Sequence, residues 1–336
     1  MIGRYLGHLD QNDPLCGYLR DHIMPQLGVS SDHTVFRVFQ STCSRHVYLY
    51  DEERSGAKVV GKFHPPHRNP GSHLPKTGET EFNNLVFLRS LGLFAPPHYV
   101  VKPLGFNQAI GSVLMVEYLD YDLLGKVIND AIHLGRRDRL YRKLGALAYF
   151  LASMHHLTAG ERPVNFDNGY DYMGRLINSL IVKRGMGYDH SDEFYYLRDA
   201  WRYQGCMWED RSVLVHGDVT PSNFLFGRGN NVMAIDLERM QWADRVFDLG
   251  RLCGELKHFF FQAKGNPHAA EPFIGHFLWE YSCHFPDRMS AFRAITRRNP
   301  FYMGVTLLRI ARNSWINQDY RWRLLQEAKQ ILRALP

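Results

Sequence analysis

LVHGDVTPSNFLF, residues 214–226, followed by VMAIDLE, residues 232–238, is the stretch on which the reading of this chain turns. Apolar runs bracket a polar turn in which His216, Gly217 and Asp218 come first and Asn223 follows; a second apolar run then ends on Asp236. Val219, Thr220, Pro221 and Ser222 form a turn-like stretch able to fold the amide back beside the acid. Asp218 can take a proton. A hard cation such as Mg²⁺ prefers oxygen ligands, and Asn223 and Asp236 offer one amide and one carboxylate.

Phosphoryl transfer needs these parts. Its transition state spreads charge over oxygens, so a site must place an acceptor hydroxyl in line, screen the phosphates with metal and accept a proton. The interval from Asp218 to Asn223 matches the pattern H-R-D-x-x-x-x-N, with Gly217 standing where that pattern has Arg. HGDVTPSNFLF, then AIDLE, then Asp248-Leu249-Gly250 resembles the aminoglycoside phosphotransferase and choline kinase family, whose fold is related to protein kinases. The resemblance implies that Asp218 is the catalytic base, Asn223 and Asp236 are metal ligands, and His216 is a structural member of the loop. It also puts Ser222 near the phosphates, gives Glu238 a supporting role at the metal site, and makes Asp248 a buried acid that braces the loop through backbone N–H groups. It spans residues 34–250 and is specific mainly at the catalytic loop and metal segment. The competing reading, an accidental loop and strand end, needs several separated elements to coincide in order and spacing.

The amino-terminal third bears on the same idea. Residues 34–40, 45–51 and 58–64 read as three short strands rich in Val, Phe and Tyr, separated by turn formers. VVGKF places Lys62 inside an apolar run, either as a solvated strand residue or as the cation that holds the α- and β-phosphates; the downstream motif favours the second. A helix is expected over 80–91, with Leu85 and Leu88 at helical spacing from Glu81. Glu81 is then the partner of Lys62. Glu79 is the alternative, and either acid could simply serve the helix dipole. Strands at 99–105 and 112–118 complete an antiparallel sheet, and the second, VLMVEYLD, leads into a hinge. In the related fold adenine sits against hinge backbone, which makes Glu117 and Leu119 candidates for main-chain hydrogen bonds and places Met115 near the base. An ordinary strand and turn would read the same in isolation.

A decoy and a gap accompany these assignments. Gly56 to Lys62 satisfies most of G-x-x-x-x-G-K-[ST], but Phe63 lacks the hydroxyl, and Pro65 and Pro66 stand where a helix should open. No G-x-G-x-x-G lies between the first two strands; the turn there is Ser41-Thr42-Cys43-Ser44-Arg45, with Arg45 read as a surface residue. The phosphate-loop contacts stay unassigned.

Composition agrees with an enzyme without identifying it. A chain of 336 residues with 45% hydrophobic content can bury one or two substantial cores. No apolar stretch reaches the length of a membrane span, and MIGRYLGHLDQND lacks a signal-peptide core, so the expected compartment is the cytoplasm. Cys16, Cys43, Cys206, Cys253 and Cys283 are scattered and odd in number, which favours reduced, packed thiols. His64, His67, His155 and His156 read as surface or packing residues. Asp13 as cap and Pro14 in the first turn open a helix that runs to Leu27 and stops at Gly28. Residues 64–76 hold four prolines and read as an exposed loop.

Past the hinge the hydrophobic period changes. Leu140, Leu144, Leu147, Leu151 and Met154 form the stripe of a core helix under the catalytic loop. Amphipathic segments at 169–184 and 191–207 offer Tyr170, Asp171 and Trp201 as acceptor contacts, with ordinary surface or core placement as the alternative. Residues 281–336 carry ten Lys or Arg against three acids, a larger excess than the +6 of the whole chain. Such a face repels a strongly cationic acceptor and suits a neutral or anionic hydroxyl compound; a solvated basic face is the plainer reading. Nucleic acid is not an expected partner, because no nucleic-acid module accompanies the basic stretch.

The expectation is therefore an α+β, bilobal protein-kinase-like fold: a small antiparallel-sheet N-lobe over 1–118 that binds nucleotide, and a larger, mainly helical C-lobe over 119–336 with the catalytic loop and acceptor pocket. The expected activity moves the terminal phosphate of ATP or GTP to a hydroxyl of a small molecule, with Mg²⁺ on Asn223 and Asp236 and no membrane involved. The alternative is a catalytically inert, kinase-like nucleotide-binding regulatory protein. Protein substrates are disfavoured because HGD replaces H-R-D, Asp236-Leu237-Glu238 replaces D-F-G, and no A-P-E follows.

Overall fold

The computed structural model describes residues 3–30, 33–42, 44–64 and 78–336. Contacts divide the chain into two units, Met1–Tyr121 with Met233–Arg239, and Asp122–Val232 with Met240–Pro336.

The first unit opens with strand β1 (Arg4–His8) and a helical segment that changes pitch twice: helix α1 (Pro14–Tyr18), a π turn over Leu19–Ile23 and a 3₁₀ turn over Met24–Leu27. Asp13 caps it by accepting the Leu15 N–H at 2.8 Å, and Gly28 ends it at φ 76°. Pro25 lacks the N–H that a continuing α-helix would use, so the last turn tightens. Strands β2 (Phe36–Gln40), β3 (Val47–Glu52) and β4 (Lys58–Phe63), helix α2 (Gly78–Ser90), the short strands β5 (Phe94–Ala95) and β6 (His98–Val100), and strands β7 (Pro103–Asn107) and β8 (Val113–Glu117) follow. β1-β2-β3-β4-β8-β7 make one antiparallel sheet. The strand expected over 99–105 is interrupted: Pro103 begins a new strand whose register shifts before Gly105. The Cys43 turn position, the prolines at 65–76 and His67 lie outside the described residues.

Alternation along β4 decides what the sheet presents. Val59 and Gly61 are buried, and a Cβ at Gly61 would stand 2.9 Å from the Tyr50 ring and 3.2 Å from Met115 Sδ. That close packing accounts for the glycine that mimics a phosphate-binding loop; residues 58–63 are a strand paired on both sides. Lys62 falls on the other face.

The second unit begins with β9 (Asp122–Leu123) and helices α3 (Leu124–His133), α4 (Arg137–Leu157), α5 (Asp167–Arg184) and α6 (Tyr188–Arg202). β10 (Val213–Val215) and β11 (Phe224–Phe226) flank the motif turn, β12 (Val232–Ala234) leads the chain back into the first unit, and β13 (Gln241–Ala243) pairs with β10. Helices α7 (Val246–Lys264), α8 (Glu271–Ser282), α9 (Arg288–Ala311) and α10 (Gln318–Leu332) complete it. Leu140, Leu144, Leu147, Leu151 and Met154 on α4 are all fully buried. α7 and α9 cross at close range because Gly250 and Gly254 carry no side chain: a Cβ on Gly250 would collide with Tyr302, and one on Gly254 would sit 2.6 Å from Thr306 Cβ. Among the described residues, no helix is long and apolar enough to cross a membrane.

Candidate active site

The turn between β10 and β11 is held by its backbone. Gly217 sits at φ 81°, a conformation that side-chain-bearing residues rarely adopt, which accounts for glycine between His216 and Asp218. Asp248, fully buried in the first turn of α7, accepts the N–H of His216 at 2.7 Å and of Gly217 at 2.9 Å. His155 on α4 places Nε2 3.2 Å from the same carboxylate, and its Nδ1 lies 2.9 Å from the Tyr281 hydroxyl. A buried carboxylate is costly unless its oxygens receive hydrogen bonds, and here both do.

Asp218 is thereby presented at the tip, 9% exposed. Its carbonyl accepts the Thr220 N–H at 2.8 Å and the Asn223 side-chain Nδ2 at 2.9 Å, so the amide does fold back onto the acid's own peptide. Asn223 Oδ1 accepts from the Ser222 hydroxyl, which is itself 3.0 Å from Thr220 Oγ1. His216 is fully buried, its ring 5.0 Å from that of Phe224.

The first unit collects a second constellation. Lys62 Nζ donates to Glu81 Oε1 at 2.6 Å and lies 3.5 Å from Asp236 Oδ1. Glu81 is fully buried, whereas Glu79 is exposed at the start of α2. Burial alone would lower the Lys62 pKa, but Glu81 and Asp236 outweigh it and hold the ammonium charged above its ordinary range. Asp236 has φ 66°, an uncommon conformation for a residue with a side chain, and Asn84 anchors the segment by donating to the Leu237 carbonyl at 2.8 Å. Glu238 pairs with its neighbour Arg239 at 3.3 Å. Met115 is fully buried in the core around Tyr50 and Val59, and Glu117 Oε1 receives the Tyr99 hydroxyl and the Lys102 N–H, each at 2.6 Å. The Glu117 N–H is taken by the Lys102 carbonyl, and Leu119 is half-buried.

Asn223 in the second unit and Asp236 in the first each carry a hard oxygen of the kind Mg²⁺ takes. Among the described residues, no cluster of three or more His, Cys, Asp or Glu of metal-binding geometry occurs.

Several groups at the turn escape the motif reading. Arg309 on α9 donates from Nη2 to Asp218 Oδ1 at 2.9 Å and from Nη1 to Glu255 Oε1 at 3.0 Å. Arg251, one turn before Glu255 on α7, is 3% exposed with Nη2 3.5 Å from the Tyr172 hydroxyl. Burial pushes the Glu255 carboxyl up despite both arginines. The signal was available in FYMGVTLLRIA and LGRLCGELKHFFF, where single charges interrupt apolar runs as Lys62 does in VVGKF. Of the acceptor candidates, Trp201 is core: fully buried, it donates Nε1 to the Leu332 carbonyl at 2.8 Å. Tyr170 bonds to Asp199 at 2.8 Å and Asp171 is exposed.

Residues 35–284 match the model of the phosphotransferase enzyme family. No curated protein matches the chain by sequence. Among solved structures, an ethanolamine kinase of Plasmodium vivax superposes with TM-score 0.62 at 15% identity over 95% of this chain and 88% of that one. A choline kinase from Cryptosporidium parvum gives 0.63 at 11% over 95% and 94%, and an aminoglycoside 2'-phosphotransferase in its GDP complex gives 0.57 at 15% over 95% and 99%. These likenesses show a protein-kinase-like fold, with an antiparallel-sheet amino-terminal region and a mostly helical remainder.

Proposed function

Because the chain belongs to the phosphotransferase enzyme family, we propose that it transfers the terminal phosphate of ATP or GTP to a hydroxyl of a small, neutral or anionic molecule in the cytoplasm. The observation that carries this reading is the turn itself: two backbone N–H groups fixed on Asp248 and the Asn223 amide folded onto the Asp218 carbonyl fix the backbone that carries Asp218. Asp218 orients that hydroxyl and receives its proton as the oxygen attacks phosphorus. Lys62, steadied by Glu81, neutralises phosphate oxygens. Asn223 and Asp236 are the residues to hold Mg²⁺, which when bound supplies charge screening at the phosphates. We assign nucleotide binding to residues 1–118, with the hinge backbone of Glu117 and Leu119 for the base and Ser222 beside the phosphates; Met115, expected near the base, instead packs in the core on the sheet face opposite Lys62. His216, Glu238 and Asp248 are assigned supporting roles.

Protein, nucleotide, magnesium and a panel of sugars, amino alcohols and hydroxy acids, read by product mass, test the activity. Asp218→Ala is expected to lose on the order of 10²- to 10⁴-fold in turnover while still binding nucleotide. Wild-type turnover by that variant removes Asp218 as base. Tight nucleotide binding with no transfer to any acceptor supports the inert regulatory reading instead.

A further inference from the structure

Asp218 is not left open to solvent; one of its oxygens already receives an arginine. Arg309 bridges Asp218 and Glu255 through its two terminal nitrogens, and the side chain is only 19% exposed. A guanidinium keeps its proton at any working pH, so it cannot serve as base or acid. What it can do is hold an oxyanion bidentately. Arg251 stands beside it on the neighbouring helix, 3% exposed, with a buried Nη1 that has no hydrogen-bond partner. A buried donor without a partner is costly, and burial and the Arg251 charge together push the Arg309 pKa down. The Tyr172 phenol completes the group: burial would raise its pKa, but Arg251 and Arg309 hold it below its ordinary value, a sign of strongly positive local potential.

These arginines are placed by the fold. Gly250 and Gly254 bring α7 against Tyr302 and Thr306 of α9, and that crossing sets Arg251 and Glu255 opposite Arg309. Resting on the phosphotransferase reading above, we propose that the acceptor hydroxyl compound carries an oxyanion, a carboxylate or a phosphate monoester, which Arg309 and Arg251 bind in exchange for the Arg309–Asp218 ion pair. The exchange keeps Arg309 paired throughout, gives the orphaned Arg251 Nη1 an acceptor, and releases the Asp218 oxygen to receive the substrate proton. An acceptor that is cationic at neutral pH, such as an amino alcohol, meets two arginines at this place and gains nothing from them.

The test compares acceptors that share a hydroxyl frame and differ in charge: glycerate and glycerol phosphate against glycerol and ethanolamine, with full-length protein, ATP and magnesium. Expected is a kcat/KM at least tenfold higher for the oxyanion-bearing pair, and a fall of that ratio toward one in Arg309→Met, where the charge-assisted bidentate contact is gone. Which member of the pair is preferred tells carboxylate from phosphate ester. Arg309→Lys and Arg251→Lys, checked for native melting, keep the positive charge but not the fork, and are expected to lose an intermediate share of the ratio. Equal or better use of ethanolamine by the wild-type protein, or an unchanged ratio in all three variants, overturns the inference while leaving phosphotransfer intact. Absence of transfer to every acceptor defeats the parent reading instead. Calorimetry with glycerol phosphate and glycerate then decides this one: binding weakened in Arg309→Met upholds it, and binding insensitive to both arginines ends it.

Discussion

Asp248 shows how one buried side chain sets the position of another. Its two oxygens receive the successive N–H groups of His216 and Gly217, and His155 approaches one of them from α4. Replacing it by Asn keeps the shape but leaves one acceptor oxygen where there were two, so one buried N–H faces an NH₂. That costs about 1–3 kcal/mol and lets the turn relax. Asp248→Asn is therefore expected to melt several degrees lower and to lose turnover more than nucleotide affinity; kinetics that retain wild-type kcat at the lower melting temperature would refute the positioning role. This residue was readable from Asp-Leu-Gly through family resemblance, because its task is defined by a local motif. For Arg309 the charge within an apolar run could be seen but its pairing could not, since its partner Asp218 lies 91 positions earlier and only packing brings them together. Gly217 lies between these cases: the motif names it, and the left-handed backbone explains it.

At the scale of elements, what could be read followed from periodicity and what could not followed from its absence. The α4 stripe emerges because one face of that helix is buried, and burial alternates along β4; β3 and β8, with runs of four buried residues, show instead as short Val-, Leu- and Tyr-rich runs bounded by turn formers. β1 escaped because it is an edge strand whose residues are nearly all exposed and whose Gly7 interrupts the register, so it carries no alternation to detect. The α7–α9 crossing also left only a faint trace, a pair of glycines one helical turn apart. It yields a paired prediction. Gly254→Ala drives a methyl into Thr306 and is expected to destabilise by about 1–3 kcal/mol, as overpacking does. Gly275→Ala on the exposed face of α8 meets nothing within 4 Å and is expected to stabilise by about 0.5–1 kcal/mol through helix propensity. Thermal or urea unfolding of the two variants checks the opposite signs; equal shifts would show that close approach is not what the glycine provides.

Over the whole chain, the basic tail is the feature whose meaning changes most between sequence and fold. Counted along the chain it reads as a positive face, yet several of its ten cations are engaged inside the second unit: Arg298 on Asp210 and Asp244, Arg309 on Asp218 and Glu255, Lys329 and Arg333 on Glu193, and Arg321 on backbone carbonyls. Net charge counts residues, whereas potential depends on which charges find partners, and partners far away in sequence cannot be read from a window. Burial governs pH response in the same way. His258 on α7 is 5% exposed beside Tyr320, with Nδ1 2.9 Å from the hydroxyl, and burial lowers its pKa from 6.5 to about 4. Because the folded value lies below the unfolded one, its contribution is complete above pH 6.5, where neither state is protonated. As pH falls the unfolded chain takes up the proton first, and stability is lost progressively down to pH 4, by at most about 3 kcal/mol. His258→Gln removes the titration while keeping a polar group for Tyr320. The melting temperature of the parent should therefore fall more steeply than that of the variant between pH 6.5 and 4, with the two curves parallel above pH 7; parallel curves across the acid range would mean that His258 titrates alike in the folded and unfolded chain.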